Sequence, residues 1–394
     1  MESIGDDGKL DLRHVRTLAE VESGYTYMRD DDVIEAKITP CFENGKGAVV
    51  SNLVGGIGFG TTELTVVRAK PGVASNRYLY WFFASSSFRG LGEAEMYGAG
   101  GQKRVPDEFF RNFEVALPPI RQQNEIARYL DAETAKIDRL TAEQRLLIEL
   151  LNEKRQAVIS HAVTKGLNSD APTKPSGIEW LGSVPMHWEV VRVKWAARME
   201  SGHTPDKKIG AYWEGADIPW VSLNDTTALR CSDFISDTAY QITQAGIDNS
   251  SARILPAGAV VFSRDATIGC CAITSRPMAV SQHFIAWLAG DRLVPEFLLR
   301  VFRAMGQELD RRATGATVKT IGMTDVRELT MALPPKQEQT EIVSAIRERT
   351  GQVDRLIEES TRAIALLRER RAALIAAAVT GQIDVRELTP AEIA

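Results

Sequence analysis

The chain carries one long segment twice, and this internal repeat constrains the fold more than any other feature. LPPIRQQNEIARYLDAETAKIDRL begins at Leu117, and LPPKQEQTEIVSAIRERTGQVDRL begins at Leu333. Aligned without a gap, residues 117–168 and 333–384 agree at 21 of 52 positions. A register kept over that length indicates a duplication, so we expect two structurally similar halves.

Each copy predicts a long helix that opens after a Pro-Pro pair, where proline is tolerated, and ends at a glycine, Gly166 or Gly381. Apolar residues recur at the heptad spacing of a coiled coil. One row is Leu130, Ile137, Leu151 and Val158, flanked by Ile126, Leu140 and Leu147; the other is Ile346, Val353, Leu367 and Leu374, flanked by Ile342 and Leu356. At about 1.5 Å per residue, some 40 residues would make a rod of roughly 60 Å.

The remaining sequence is predicted to form two lobes of short strands and turns. Residues 32–68 and 218–287 mix β-branched runs with Gly, Asn and Asp. Residues 98–119 align with 314–335, which extends the repeat into the lobes and places Lys103 opposite Lys319. The predicted fold is α+β: two mixed α/β domains joined by two long helices in an antiparallel coiled coil, with a pseudo-twofold internal repeat.

The predicted boundaries follow from this repeat. They are a first domain at 1–116, a first helix at 117–168, a linker at 169–186 that opens with a hinge-like stretch at 169–177, a second domain at 187–332, a second helix at 333–384 and a tail at 385–394.

Composition is that of a globular protein, with 44% hydrophobic and 25% charged residues. No apolar run approaches the roughly 20 residues that span a bilayer, so no membrane partner is expected. The four cysteines form no CxxC pair, which argues against a zinc site or a disulfide framework and predicts a cytoplasmic protein. A net charge of −5 does not indicate nucleic-acid binding, but local patches decide such binding.

Several motifs together resemble the specificity subunit of Type I restriction–modification systems, over nearly the whole chain. They are the two LPP-x3-Q-x-EI openings, the IDRL and VDRL continuations, and the IEWLG…P-x-HW run before the second lobe. AKITPCFENGKG with GIGFGTTE is similar to one type of first recognition domain. IPWVSLND, GAVVFSRDATIG and VSQHF are similar to a second type.

The resemblance implies a DNA-reading adaptor with no catalytic residue, metal or cofactor of its own. Each lobe would read one half of a split, asymmetric sequence in double-stranded DNA. The helices would set the spacing and dock two methyltransferase subunits, with restriction subunits joining through the complex. The motif residues assigned to the partner interface are Gln123, Glu125, Ile126, Gln339, Glu341 and Ile342.

Polar and basic residues in predicted loops are the candidates for DNA contact, because Lys and Arg bind phosphates while Asn, Gln and Arg can read base edges. They are Lys37, Asn44, Lys46, Gln102, Lys103, Arg104, Thr204, Lys207, Lys208, Asn224, Arg264 and Lys319. Residues 187–332 hold 16 basic and 16 acidic side chains, so we expect weak DNA binding by the chain alone.

Two other functions stay open. Glu35 and Lys37 form an E-x-K triplet that could serve metal-dependent DNA cleavage with Asp6, Asp7 or Asp11. The helices could instead only oligomerise the chain. The five histidines have no partner at a telling spacing, so we interpret them as solvated or structural. GGIGFG (55–60) lacks the GxGxxG order of a dinucleotide loop.

The first lobe is shorter than the second. Aligned backwards from the repeat, Met1 falls near Val221, and nothing in the first lobe matches residues 188–220. Our hypothesis is an N-terminally shortened first domain, which would expose an unpaired sheet edge. A naturally shorter domain is the alternative.

Overall fold

The structure, a computed structural model, describes residues 1–5, 8–21, 23–99, 101–315 and 317–385. It divides into two compact units: Met1–Leu147 with the chain from Glu359 onward, and Ile148–Glu358. Each unit holds one lobe and one part of each long helix. The predicted tail lies outside the described residues, except for Val385.

The first lobe is a small antiparallel sheet covered by short helices. Strand β2 is central in the order β3-β2-β5, and β1 pairs separately with β4. Aromatic side chains of the helices, including Tyr78, Trp81 and Phe88, fill its core. The elements are α1 (Leu18–Val21), β1 (Thr26–Arg29), β2 (Val33–Ala36), β3 (Gly47–Val49), a 3-10 turn (Val54–Gly56), β4 (Ile57–Gly60), β5 (Leu64–Val67), α2 (Asn76–Ala84), α3 (Ser86–Ala94), α4 (Asp107–Asn112) and the long α5 (Ile120–Lys165).

The second lobe has a five-stranded sheet in the order β11-β14-β13-β16-β9, with smaller sheets β12-β10-β15, β17-β8 and β6-β7. Its elements are β6 (Thr173–Pro175), β7 (Ser183–Pro185), β8 (Glu189–Arg192), α6 (Val193–Ala196), β9 (Ala197–Ser201), β10 (Ile218–Val221), α7 (Thr226–Cys231), β11 (Phe234–Ile235), β12 (Tyr240–Ile242), α8 (Gln244–Asp248), β13 (Val260–Ser263), β14 (Cys271–Thr274), β15 (Ala279–Val280), β16 (Phe284–Ala289), α9 (Pro295–Ala304), α10 (Gly306–Arg312), α11 (Met323–Glu328), β17 (Thr330–Leu333), the long α12 (Lys336–Val379), and 3-10 turns at Gly210–Tyr212 and Leu223–Asp225.

Each lobe contains its own sheet with the same central arrangement of three strands. The order β3-β2-β5 corresponds to β14-β13-β16, and in both lobes the last strand leads into a helix, α2 or α9. The registers agree as well, since Ala36 pairs with Leu64 and Ser263 pairs with Phe284. The repeat predicted from the sequence therefore extends through both lobes.

The long helices run antiparallel within each unit. In the first unit, Ile126 and Leu130 of α5 share a core with Ile375 of α12, and Arg371 lies 3.1 Å from Asp138. In the second unit, Arg155 lies 2.9 Å from Asp354, and the core joins Ile159, Ala162 and Val163 to Ile342, Val343 and Ile346. Early residues of one helix thus meet late residues of the other, which confirms the predicted pairing. Because this pairing fills the seam within one chain, the coiled coil does not require oligomerisation.

The predicted seam is only partly buried. Leu130, Ile137, Leu151, Ile346 and Val353 are buried as expected. Within the flanking row, Ile126 and Ile342 are buried, but Leu140, Leu147 and Leu356 are exposed. Two helices bury one narrow stripe, and the next row then faces outward.

The segment 169–186 is not a hinge. Strands β6 and β7 pair as a hairpin, and Leu181, Val184 and Trp188 enter the core of the second unit. The Nζ of Lys165 donates to the carbonyls of Leu181, at 3.3 Å, and Ser183. The Pro- and Ser-rich residues of this segment form a short hairpin that packs on the second lobe.

In each lobe, one buried glutamine of the long helix forms hydrogen bonds with the main chain of the lobe. Gln123 accepts from the Ser75 N–H at 2.8 Å and donates to the Val73 and Pro118 carbonyls. Gln339 accepts from the Val294 N–H at 2.8 Å and donates to the Arg292 and Pro334 carbonyls. We call these the glutamine clamps.

The clamps narrow the predicted partner interface. Gln123, Gln339, Ile126 and Ile342 are buried within the chain, so their side chains are not available to a partner. The glutamines of the motif bond main-chain groups just before α2 and α9, which have no partner within those helices. Glu125 and Glu341 alone of the six stay candidates for the interface.

Candidate nucleic-acid interface

Both lobes build the same backbone scaffold beyond the ends of β2 and β13. Lys37 N donates to Glu63 O at 3.0 Å, and Arg264 N donates to His283 O at 2.9 Å. The scaffold comprises residues 37–39, 61–63, 97–99 and 101–105 in the first lobe, and 264–266, 281–283, 314–315 and 317–321 in the second. We call these the first and second platforms.

Two further hydrogen bonds show that Lys103 and Lys319 occupy equivalent positions. The Lys103 carbonyl accepts from Thr39 N at 2.9 Å, and the Lys319 carbonyl accepts from Ala266 N at 2.9 Å. Val105 N donates to Lys37 O at 2.8 Å, and Ile321 N donates to Arg264 O at 2.9 Å. The sequence alignment of the two lysines is therefore matched by the backbone.

A glycine permits the tight loop that carries each lysine. Gly98 has φ 138°, and a Cβ there would lie 2.4 Å from the Gln102 carbonyl oxygen. Gly315 has φ 106°, and a Cβ there would lie 2.3 Å from the Val318 carbonyl oxygen. Neither position accepts another residue without a shift of the loop.

The first platform is held by two ion pairs. Arg104 binds Glu63 through two nitrogens, with Nη2–Oε1 at 2.7 Å and Nε–Oε2 at 2.9 Å. The Arg104 hydrogen bond holds the pKa of Glu63 below its ordinary value. Lys37 Nζ lies 2.9 Å from Asp107 Oδ1. These contacts leave the exposed Gln102 and Lys103 at the loop tip.

The second platform is held by a different side-chain network. His283 Nδ1 lies 2.8 Å from Asp265 Oδ2, and His283 Nε2 lies 3.4 Å from Gln282 Nε2. The Thr204 hydroxyl donates to Gln282 Oε1. Lys319 is exposed, and its Nζ lies 4.0 Å from Asp310 Oδ1. The second platform is thus a polar surface beside the loop that carries the exposed Lys319.

Backbone strain and orphaned polar atoms accompany this network. Ala266 has φ 58°, which a residue with a Cβ adopts only at a cost of about 1–2 kcal/mol. Asp265 Oδ1, Ser281 Oγ and Arg264 Nε are buried without a hydrogen-bond partner among the described residues. Such strain and unsatisfied atoms tend to occur at functional sites.

The platforms bring together only some of the predicted DNA-binding residues. Lys37, Gln102, Lys103 and Arg104 meet on the first, and Thr204, Arg264 and Lys319 meet on the second. Among the described residues, no hydrogen bond or ion pair joins the other candidates' side chains to a platform. These others are Asn44, Lys46, Lys207, Lys208 and Asn224.

Sequence reasoning missed four residues of the platforms: Glu63, Asp265, Gln282 and His283. Two histidines have carboxylate partners that their spacing in the sequence does not reveal: His283 Nδ1 lies 2.8 Å from Asp265 Oδ2, and His187 Nε2 lies 2.8 Å from Glu338 Oε2. The VSQHF motif contained the signal. The partner of His283 lies 18 residues away, just after the end of β13, so only the register of β13 with β16 reveals the pair.

The structure does not assemble the nuclease triplet. Glu35 is buried, and its Oε1 accepts from Arg89 Nη2 at 2.6 Å. Burial raises the pKa of Glu35 to about 7. Asp11 bonds Arg13, while Asp6 and Asp7 lie outside the described residues. No group of three or more metal-ligating side chains occurs within the described ranges, and no helix there is long and apolar enough to cross a membrane.

Comparison with protein families gives one match over most of the chain. A family model described as the Type I restriction modification DNA specificity domain matches residues 56–150 and 185–363. These ranges include parts of both platforms and of both long helices.

Curated relatives match parts of the chain. The Type I restriction enzyme EcoAI specificity subunit of Escherichia coli is 45% identical over 112 residues, 28% of this chain and 19% of that protein. The EcoEI specificity subunit of the same species is 42% identical over 120 residues, 30% of this chain and 20% of that protein. The matched stretch thus spans about one fifth of each. The MjaVIII specificity subunit of Methanocaldococcus jannaschii is 22% identical over 324 residues, 79% of this chain and 71% of that protein.

Two solved structures share the fold. One describes complex assembly and conformational transition of the type I R-M system; it aligns with TM-score 0.78 at 20% identity, covering 97% of this chain and 90% of that chain. The other is the HsdS subunit from Thermoanaerobacter tengcongensis, with TM-score 0.55 at 19% identity, covering 97% and 89%. At this level of identity the likeness concerns the fold alone.

Proposed function

The chain belongs to the Type I restriction modification DNA specificity family, and we propose that it reads a two-part, asymmetric sequence in double-stranded DNA. The observation that carries this proposal is the pair of platforms. They share three equivalent backbone hydrogen bonds yet present different side chains, Glu63 with Arg104 in one and His283 with Asp265 in the other. One scaffold with two chemistries fits two different half-sites. The exposed Lys103 and Lys319 would bind phosphates.

The proposed partners are two methyltransferase subunits, with restriction subunits joining through them in the cytoplasm. The chain would be non-catalytic alone, since the one tempting triplet is buried at Glu35. Exposed apolar side chains on the long helices support a docked partner. In the first unit these include Leu140, Leu146 and Leu147 of α5, and in the second Leu150 and Leu356. Glu125 and Glu341 would contribute at the helix starts.

The edge of the first lobe differs from that of the second lobe among the described residues. Residues 114–117 correspond to β17, but they form no strand, and Val115 and Leu117 are 36% and 37% exposed. In the second lobe β8 pairs with β17, and Met331 and Leu333 are 0% and 4% exposed. A segment equivalent to β8 and β9 would cover this edge. Adding such a segment upstream should raise solubility and DNA binding; unchanged behaviour would favour a naturally short domain.

The test is to co-express the chain with the methyltransferase subunit encoded beside it and to map N6-methyladenine across the host genome by single-molecule sequencing. Two short blocks separated by a fixed gap would support the proposal. A single block, or its palindrome, would mean that only one platform reads DNA. Absence of methylation with a folded complex would contradict the function.

A further inference from the structure

Gln282 presents an exposed amide that the second platform holds from both sides. The Thr204 hydroxyl donates to its Oε1, and its Nε2 lies 3.4 Å from His283 Nε2. An exposed glutamine ordinarily samples many rotamers, and losing that freedom costs free energy on binding. Here the contacts fix the amide before any ligand arrives.

The Asp265 carboxylate determines how the amide is oriented. Because it accepts from His283 Nδ1, the neutral imidazole carries its proton on Nδ1 and leaves Nε2 as an acceptor. The Gln282 NH2 group then donates to that nitrogen, while its carbonyl oxygen accepts from Thr204. Both ends of the amide are thereby assigned.

An amide has two N–H donors and two oxygen lone pairs, so after these two contacts one donor and one acceptor of Gln282 stay available to a ligand. This donor–acceptor pair complements adenine in the major groove, where N7 accepts and the N6 amino group donates. Resting on the proposed DNA-reading function, we infer that Gln282 is a specificity-determining residue that recognises an adenine in the half-site read by the second lobe.

The surroundings support a polar ligand at this place. Asp265 Oδ1 and Ser281 Oγ are buried without partners among the described residues, although both flank the network. Ala266 keeps its strained conformation beside them, held by the Lys319 carbonyl. Lys319 is exposed on the same platform, with its Nζ 4.0 Å from Asp310 Oδ1.

The first platform offers a different group at this position. The registers of β5 and β16 place Thr62 and Glu63 where the second lobe has Gln282 and His283. A threonine hydroxyl cannot make the paired contact of an amide. The inference therefore concerns one block of the target and not the other.

The experiment compares the methylation motif of the assembled complex with those of Gln282→Ala and Gln282→Glu. In Gln282→Ala, one A·T position in a single block should lose discrimination by about ten- to hundred-fold, with the gap and the other block unchanged. In Gln282→Glu the carboxylate repels N7 of adenine, so adenine should be rejected at that position. Gln307→Ala, which removes an exposed glutamine of α10, should leave the motif unchanged.

The outcomes separate this inference from the proposed function. A wild-type complex that methylates no split motif would overturn the function itself. A split motif that Gln282→Ala and Gln282→Glu both methylate with unchanged stringency would overturn only the role of Gln282. So would a change at a G·C position alone.

Discussion

The two platforms agree in backbone and differ in side chains. The main-chain carbonyls of Lys103 and Lys319 accept equivalent hydrogen bonds. The residue beside the central strand, however, is Glu63 in one lobe and His283 in the other. A main-chain scaffold tolerates such exchange because its hydrogen bonds do not involve the side chains that vary. One duplicated fold can therefore keep its main-chain scaffold and an exposed lysine while the polar side chains around them diverge.

The lobes also differ in which strands pair with the edges of their sheets. Strand β9 covers the edge of β16, and β8 covers β17. Among the described residues, β5 and residues 114–117 have no such neighbours. We therefore expect the second lobe to owe more of its stability to the segment that contains β8 and β9.

The largest expected effect tests that dependence. Trp188, just before β8, is fully buried and donates to Glu338 Oε1 at 3.1 Å. Trp188→Ala should lower the free energy of unfolding of the second lobe by about 3–5 kcal/mol. Hydrogen exchange during urea denaturation should show the loss in second-lobe peptides.

Trp195 provides the matched control, because it is exposed. Trp195→Ala should change stability by less than about 0.5 kcal/mol. Equal loss of protection in both lobes after Trp188→Ala would show that the segment does not frame the second lobe specifically.

A smaller effect is expected in the pH dependence of folding stability, which should differ between the cores of the two lobes. Glu35 of β2 corresponds to Phe262 of β13, and its pKa is raised by burial from 4.5 to about 7. The folded state then binds more protons than the unfolded state between these values, so stability falls as pH rises. The fall should reach about 3 kcal/mol at most in the first lobe.

Glu35→Gln should flatten this dependence in first-lobe peptides, whatever its effect on absolute stability. The second lobe has no carboxyl at this place and should show no matching slope. A slope between pH 4.5 and 7 that persists in Glu35→Gln would assign it to another group.

The smallest effect compares the two lysines directly. Lys103→Ala and Lys319→Ala should each weaken DNA binding by the assembled complex a few-fold. Each should reduce the slope of log affinity against log salt by about 1, with the sequence motif unchanged. Fluorescence anisotropy over a salt series measures both quantities. An effect from Lys319 alone would mean that the first platform does not contact DNA.

Much of the architecture could be predicted because its signals are local. Helices α5 and α12 begin right after Pro119 and Pro335, and glycines with positive φ follow their ends. The equivalence of Lys103 and Lys319 followed from alignment. The Asp265–His283 pair could not be predicted, since it depends on the register of short strands whose periodicity is weak. Gln123 and Gln339 were misassigned because sequence alone does not show which main-chain groups lack partners.

The glutamine clamps have a consequence for how such chains change over generations. Each clamp bonds only main-chain groups of its lobe: one N–H and one carbonyl beside the start of α2 or α9. It is therefore indifferent to the side chains of the lobe it holds. Recombination within the LPP-x3-Q codons could replace an entire lobe by a foreign one and still keep the hydrogen bonds of the clamp. Duplicated junctions of this kind would let new DNA specificities arise in a single genetic event.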